Sequence, residues 1–264
     1  MATLIKGAKL IDGKGGAIDN AAVLMDGDRI VALGRQADIA AGQGVAVIDV
    51  GGKTIMPGFV DAHVHLCNTG GPTSARDSLQ STDDEKMLTS VKNALLAIKS
   101  GVTTVRDLGG KGFITVAVRD AIAKGVIPGP RVVSCATAVT TTGGQVHHKS
   151  LEVDTVDEMK KAVRYIVKGG ADCIKIFGSG GNATPGSNPL AAQYGVDEFR
   201  IAAEEAHRMG KHVAAHVHPT VAIRSAVEAG IDSLEHCSWL SPSGVAIDPD
   251  LLDEIIKRGT YVSL

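Results

Sequence analysis

Apolar and polar residues follow two rhythms along this chain, and the change falls at Pro57-Gly58. Before it, short apolar runs recur at Leu4-Ile5, Lys9-Leu10-Ile11, Val23-Leu24-Met25, Arg29-Ile30-Val31-Ala32 and Val45-Ala46-Val47-Ile48. Asp12-Gly13, Asp26-Gly27-Asp28 and Gly51-Gly52 separate them, and such pairs supply tight turns. Residues 1–56 therefore predict a small antiparallel accessory β domain of sandwich type.

After Pro57 the rhythm becomes strand, loop, helix, repeated. Phe59, Val60, Ala62 and Val64 read as a short buried strand. Met87, Val91, Leu95 and Ile98 sit at helical spacing within a helix over 82–99. Strands follow at 102–106, 131–135, 172–177, 212–217, 231–235 and 260–264. Helices lie between them at 114–124, 155–167 (capped by Asp154 or Thr155), 197–209, 220–229 and 250–257. Strict alternation implies a parallel sheet with helices outside. Seven strands, with ligand-type residues at the ends of the first, fourth, fifth and sixth, point to an incomplete (β/α)8 TIM-like barrel over 57–264. An open doubly wound sheet is the competitor, and it would feed its site from fewer strands.

The 264 residues suffice for one barrel-sized domain, and 44% hydrophobic with 21% charged content is ordinary for a soluble globular chain. A net charge of −2 and a single tryptophan, Trp239, give no reason to expect a nucleic-acid partner. No apolar run reaches the roughly 18 residues of a membrane span, and the first residues do not read as a signal peptide. Cys67, Cys135, Cys173 and Cys237 are dispersed, as free thiols in a reducing cytoplasm would be.

The candidate chemistry sits at strand ends. His63 and His65 are two residues apart on one strand, so both imidazoles face one side. Neutral imidazole is a ligand for borderline divalent metals, although so short a pattern also arises by chance. His216 and His218 repeat the spacing on the fifth strand, and His236 closes the sixth. Lys175 lies inside the apolar run Asp172–Phe177, where a lysine is seldom buried unless it is paired or used. Gly178-Ser179-Gly180-Gly181 lacks the Lys-Ser or Lys-Thr of a phosphate loop and reads as backbone passing close to the site. Arg106-Asp107 reads as a structural ion pair, Asp61 as an orienting residue, and His207 and His212 as solvated.

Met-Pro-Gly-Phe-Val-Asp-Ala before His63-Val64-His65, together with Lys175, His216 and His236, resembles the metal-dependent amidohydrolase superfamily. Val105–Gly110, Gly129-Pro130-Arg131, Thr142-Gly143-Gly144, Gly170–Lys175 and Ala229–His236 resemble its prolidase-like and N-acyl-amino-acid hydrolase branch, near imidazolonepropionase. The resemblance implies that His63 and His65 bind one of two divalent ions, zinc being the natural choice. It implies that Lys175, carboxylated by CO2, bridges the two, and that His216 and His236 bind the second. A hydroxide shared by the ions would attack a small-molecule amide or dipeptide carbonyl. His218 falls where such proteins contact substrate. Relatives commonly carry a histidine after the two glycines, but here Gln145 stands there and His147 and His148 follow.

The resemblance also implies a catalytic aspartate on an eighth strand. The sequence ends at Leu264 in the seventh, so a truncated chain of weak activity is expected, with an open barrel edge. A mononuclear deaminase or cyclic amidohydrolase, and a non-catalytic fragment, are the alternatives. A homo-oligomer is left open.

Overall fold

Short turns set the path of the first segment. The computed structural model describes residues 2–264, which divide into two compact units, one ending at Gly58 and one spanning Phe59–Leu264. In the first, β1 (Ala2–Ile11) and β2 (Ala17–Asp26) are joined by a turn in which the Asp12 carboxylate accepts the Lys14 and Gly16 amides at 2.7 and 2.9 Å. After the Gly27-Asp28 turn, β3 (Arg29–Arg35) pairs antiparallel with β2. β4 (Ala46–Asp49) and β5 (Thr54–Ile55) instead pair parallel to β1. The unit is thus one mixed five-stranded sheet, not an antiparallel sandwich. The stretch between β3 and β4 is long enough to return the chain to the same end of the sheet, which a tight turn cannot do.

The second unit alternates strands and helices. β6 (Phe59–Val64) leads into α1 (Ser74–Gln80) and α2 (Asp83–Lys99), then β7 (Val102–Asp107), α3 (Ile114–Ala123) and β8 (Arg131–Ser134). The short strands β9 (Val139–Thr140) and β10 (Leu151–Glu152) precede α4 (Val156–Lys168) and β11 (Cys173–Phe177). α5 (Val196–Arg208), β12 (His212–Pro219), α6 (Thr220–Glu228), β13 (Ser233–Ser241), β14 (Gly244–Val245), α7 (Pro249–Arg258) and β15 (Tyr261–Ser263) complete it.

Local chemistry fixes these ends. The Thr82 and Thr155 hydroxyls accept the amides of Glu85 and Glu158, whose carboxylates accept the cap amides in return. Asp248 caps α7, and Gly259 ends it at a φ of 67°, which suits a residue without Cβ.

β6, β7 and β8 form one parallel sheet. β9, β11, β12, β13 and β15 pair in parallel in the other. The Asp172 amide donates to Ser134 O at 2.7 Å, and Gly110 bridges Thr137, so the two sheets adjoin. The arrangement curls: Arg106 on β7 reaches across to Ser233 and Glu235 on β13.

The main core lies between the second sheet and α4–α7, where Met159, Ile166, Ile174, Phe199, Ile223, Leu234 and Leu251 are buried. β6 is not the buried strand its apolar residues suggest. Phe59 and Val60 are 56% and 67% exposed, because β6 pairs with β7 alone. β15 is the other open edge and pairs only with β13.

Candidate metal centre

Strand alternation brings the expected side chains to one place. His63 and His65 leave the carboxyl end of β6, and their ring centres lie 5.4 Å apart. The His236 ring lies 4.9 Å from His63, 4.8 Å from His216 and 5.0 Å from His218. Histidines 63, 65, 216, 218 and 236 thus form one continuous cluster of imidazoles drawn from β6, β12 and β13. Below them on β11, Lys175 is 0% exposed, and its Nζ has no hydrogen-bond partner. Its Nζ lies 5.6 Å from the centre of the Phe177 ring, which itself stands 5.4 Å from His216, so the amine lies beside the cluster.

His236 sits at a φ of 67°, with Cys237 and Trp239 also in the left-handed region. Non-glycine residues hold that conformation when their surroundings impose it, and such strain gathers at functional sites. Here it turns β13 so that consecutive residues, Glu235 and His236, both serve the cluster. The bend also carries β13 past the position expected from its apolar run.

The residues that hold the cluster carried weaker signals in the sequence. Glu235 is 0% exposed, lies 2.9 Å from His63 Nδ1 and accepts from Arg106 at 2.8 Å. A carboxylate on Nδ1 leaves Nε2 of His63 free to ligate. Arg106 therefore pairs with Glu235 and not with Asp107, since neighbours on a strand point to opposite faces. Asp107, fully buried, accepts the Leu66 and Gly109 amides at 2.7 and 3.3 Å. Asp61 Oδ1 accepts the His63 amide at 3.2 Å. The buried Lys149 ammonium donates to Asn68 Oδ1 and Gly109 O at 2.9 and 3.0 Å and so ties down the loop after His65.

A cavity of about 420 Å3 opens over the cluster, lined by His65, Gln145, His148, Lys149, His218 and His236 among others. Within it His148 faces Ser78 Oγ at 3.0 Å, and its Nδ1 is buried without a partner. His218 Nδ1 lies 2.9 Å from Ser238 Oγ. His147 does not line the cavity; its half-exposed ring is 4.0 Å from Glu152. The glycine run approaches the site closely: a Cβ on Gly181 would stand 2.6 Å from Gln145 Nε2 and 3.1 Å from His216 Nε2. A larger cavity, about 680 Å3, opens at the opposite strand ends.

The model of the amidohydrolase family matches residues 54–263. The chain belongs to the amidohydrolase family. Ochratoxinase of Aspergillus niger is 31% identical to this chain over 274 residues, covering 90% of the chain and 54% of that protein. The chain thus spans about half the length of the curated relatives it matches over most of its own length. An imidazolonepropionase of Herpetosiphon aurantiacus is 48% identical over 54 residues, 20% of the chain and 13% of that protein. A solved Xaa-Pro dipeptidase with methionine in its active site superposes with a TM-score of 0.87 at 28% identity. It covers 99% of the chain and 66% of its own.

The chemistry of the histidine cluster fits a divalent metal. Burial, then the Lys175 charge, holds His216 well below the usual imidazole range, and burial with Lys149 does the same to His65. Burial, then His63, pushes His236 down to about 4. These rings are neutral near pH 7, the form that ligates. His65 Nδ1 and Lys175 Nζ are buried donors or acceptors without partners, a costly condition that a bound ion or a modified lysine would relieve.

Proposed function

We propose that this chain carries the metal-binding site of a hydrolase of amide bonds, with a dipeptide or N-acyl amino acid as substrate. In this reading the curled sheet is an incomplete (β/α)8 barrel. His63, His65, Lys175, His216 and His236 would hold two zinc-like ions. The observation that carries the reading is Lys175: a fully buried, unpartnered amine beside the histidine cluster. The likeness to a Xaa-Pro dipeptidase structure supports the substrate class.

Burial lowers the Lys175 amine to about 8, against the opposing pull of Glu235. About a fifth of it is then neutral near pH 7.4, against about one part in a thousand for an ordinary lysine. The neutral nitrogen can attack the carbon of CO2: a C–N bond forms as one C=O π pair moves to oxygen, an N–H proton is released to solvent, and the carbamate shares one negative charge over two oxygens. When bound, the ions polarise a carbonyl and lower the pKa of water.

The chain's own residues do the rest. Glu235 stands against His63 Nδ1, and this contact, then the Lys175 charge, outweighs burial and pushes the Glu235 carboxyl down to about 2. His148 and His218 line the cavity with polar nitrogens for the substrate, while burial and the Lys149 charge push His148 down to about 4 and keep it neutral.

The test is hydrolysis of a panel of dipeptides and N-acyl amino acids by metal-loaded protein. Release of the amino acid should vanish with chelator and in His63→Ala. Hydrolysis indifferent to both, or equal metal uptake by wild type and His63→Ala, contradicts the proposal.

A further inference from the structure

A second group of ligand-type side chains lies at the far end of the sheet, outside the candidate centre. His207 is near the end of α5, His212 is the first residue of β12, and Asp232 immediately precedes β13. His207 Nε2 lies 2.8 Å from Asp232 Oδ2, and His212 Nδ1 lies 3.3 Å from Asp232 Oδ1. The three donor atoms all fall within 4.8 Å of one another. His212 and His216 are four residues apart on one strand, which separates the two groups by about 13 Å.

We propose that His207, His212 and Asp232 form a surface site for one zinc-class divalent ion. Three features argue for a built site and not a chance ion pair. First, the carboxylate is held in place independently of the imidazoles, because Asp232 Oδ2 also accepts the Val213 amide at 2.7 Å. Second, each carboxylate oxygen faces a different imidazole, so the two rings converge on one acid. Third, the spacing is close to what an ion needs. With bonds of about 2.0–2.1 Å, ligand atoms around a tetrahedral zinc stand about 3.3 Å apart. Small rotations of two imidazoles would reach that from the present distances. The His212 side chain is 84% exposed and free to make the adjustment.

Two imidazoles and one carboxylate leave a fourth position to water. Imidazole selects zinc, copper, nickel or cobalt, whereas calcium and magnesium prefer oxygen ligands. Occupied, the site ties the end of α5 to the starts of β12 and β13.

The test is zinc content after equilibrium dialysis of metal-free protein, wild type against His207→Gln/His212→Gln. Both side chains are substantially exposed, so the variant should fold, and matching circular dichroism and cooperative thermal unfolding check that it does. Wild type should bind one more zinc per chain than the double variant, and His212→Gln alone should weaken that one ion at least tenfold. Millimolar magnesium should not compete. Equal zinc counts in folded wild type and variant overturn the proposal. Should the double variant not fold, the same comparison with His212→Gln alone decides it, with unchanged affinity as the contrary result. The outcome is independent of the candidate centre, because failure there would lower both counts equally and leave their difference at one.

Discussion

Lys175 shows how a single side chain can be unfavourable for the fold and still define the site. Its amine is buried with no partner, a condition that costs about 1–3 kcal/mol. Lys175→Met keeps the volume and removes the orphaned nitrogen. Metal-free Lys175→Met should therefore be as stable as wild type or gain about 1–3 kcal/mol in urea unfolding, while its metal uptake falls. Loss of stability without loss of metal would show the lysine to be structural. Gly181 works by absence. A methyl there would press on Gln145 and on the His216 ring, both buried. Gly181→Ala should leave the fold intact by circular dichroism and weaken metal affinity about tenfold or more, as expected when a ligand is displaced.

Among the elements, β6, β7 and β13 depend on one ion-pair network. Glu235 joins Arg106 of β7 to His63 of β6, and it is fully buried. Removing its charge leaves Arg106 uncompensated. Glu235→Gln should cost about 3 kcal/mol, the low end for breaking a buried pair because Arg106 reaches solvent. Chemical denaturation measures this, and Arg106→Met in the Glu235→Gln background should cost little more.

This network was hidden in the sequence, although the clustered histidines and Lys175 were not. His63 and His65, Lys175, His216 and His236 stand out because alternation puts them on one face and because a lysine interrupts an apolar strand. Glu235 looked like an ordinary member of the motif before His236. Nothing local reveals that left-handed residues at 236, 237 and 239 twist β13 so that both neighbours point usefully. The helices from Asp83 onward were legible from caps and apolar spacing, whereas α1, short and without a side-chain cap at Thr73, gave no such signal. The parallel return of β4 and β5, and the exposure of β6, depend on long-range pairing that no window of sequence contains.

At the scale of the whole molecule, the site makes the fold sensitive to acid. His65, His216, His236 and His148 are all held below the usual imidazole range, chiefly by burial, with His236 and His148 at about 4. Between pH 6.5 and 4 the unfolded chain takes up protons at these positions and the folded chain does not. Acidification through that window therefore favours unfolding. The denaturant midpoint of metal-free protein should drop steadily from pH 7 to pH 4.5, and replacing His148 by Gln should flatten the slope. A midpoint independent of pH across this window would contradict that assignment.

The most direct test of the central claim is an anomalous difference map at the zinc edge from crystals of the zinc-loaded protein. The account predicts strong peaks enclosed by His63, His65, His216 and His236, with extra density continuous with Lys175 Nζ. Zinc found only elsewhere, with the four imidazoles unligated and Lys175 unmodified, would contradict it.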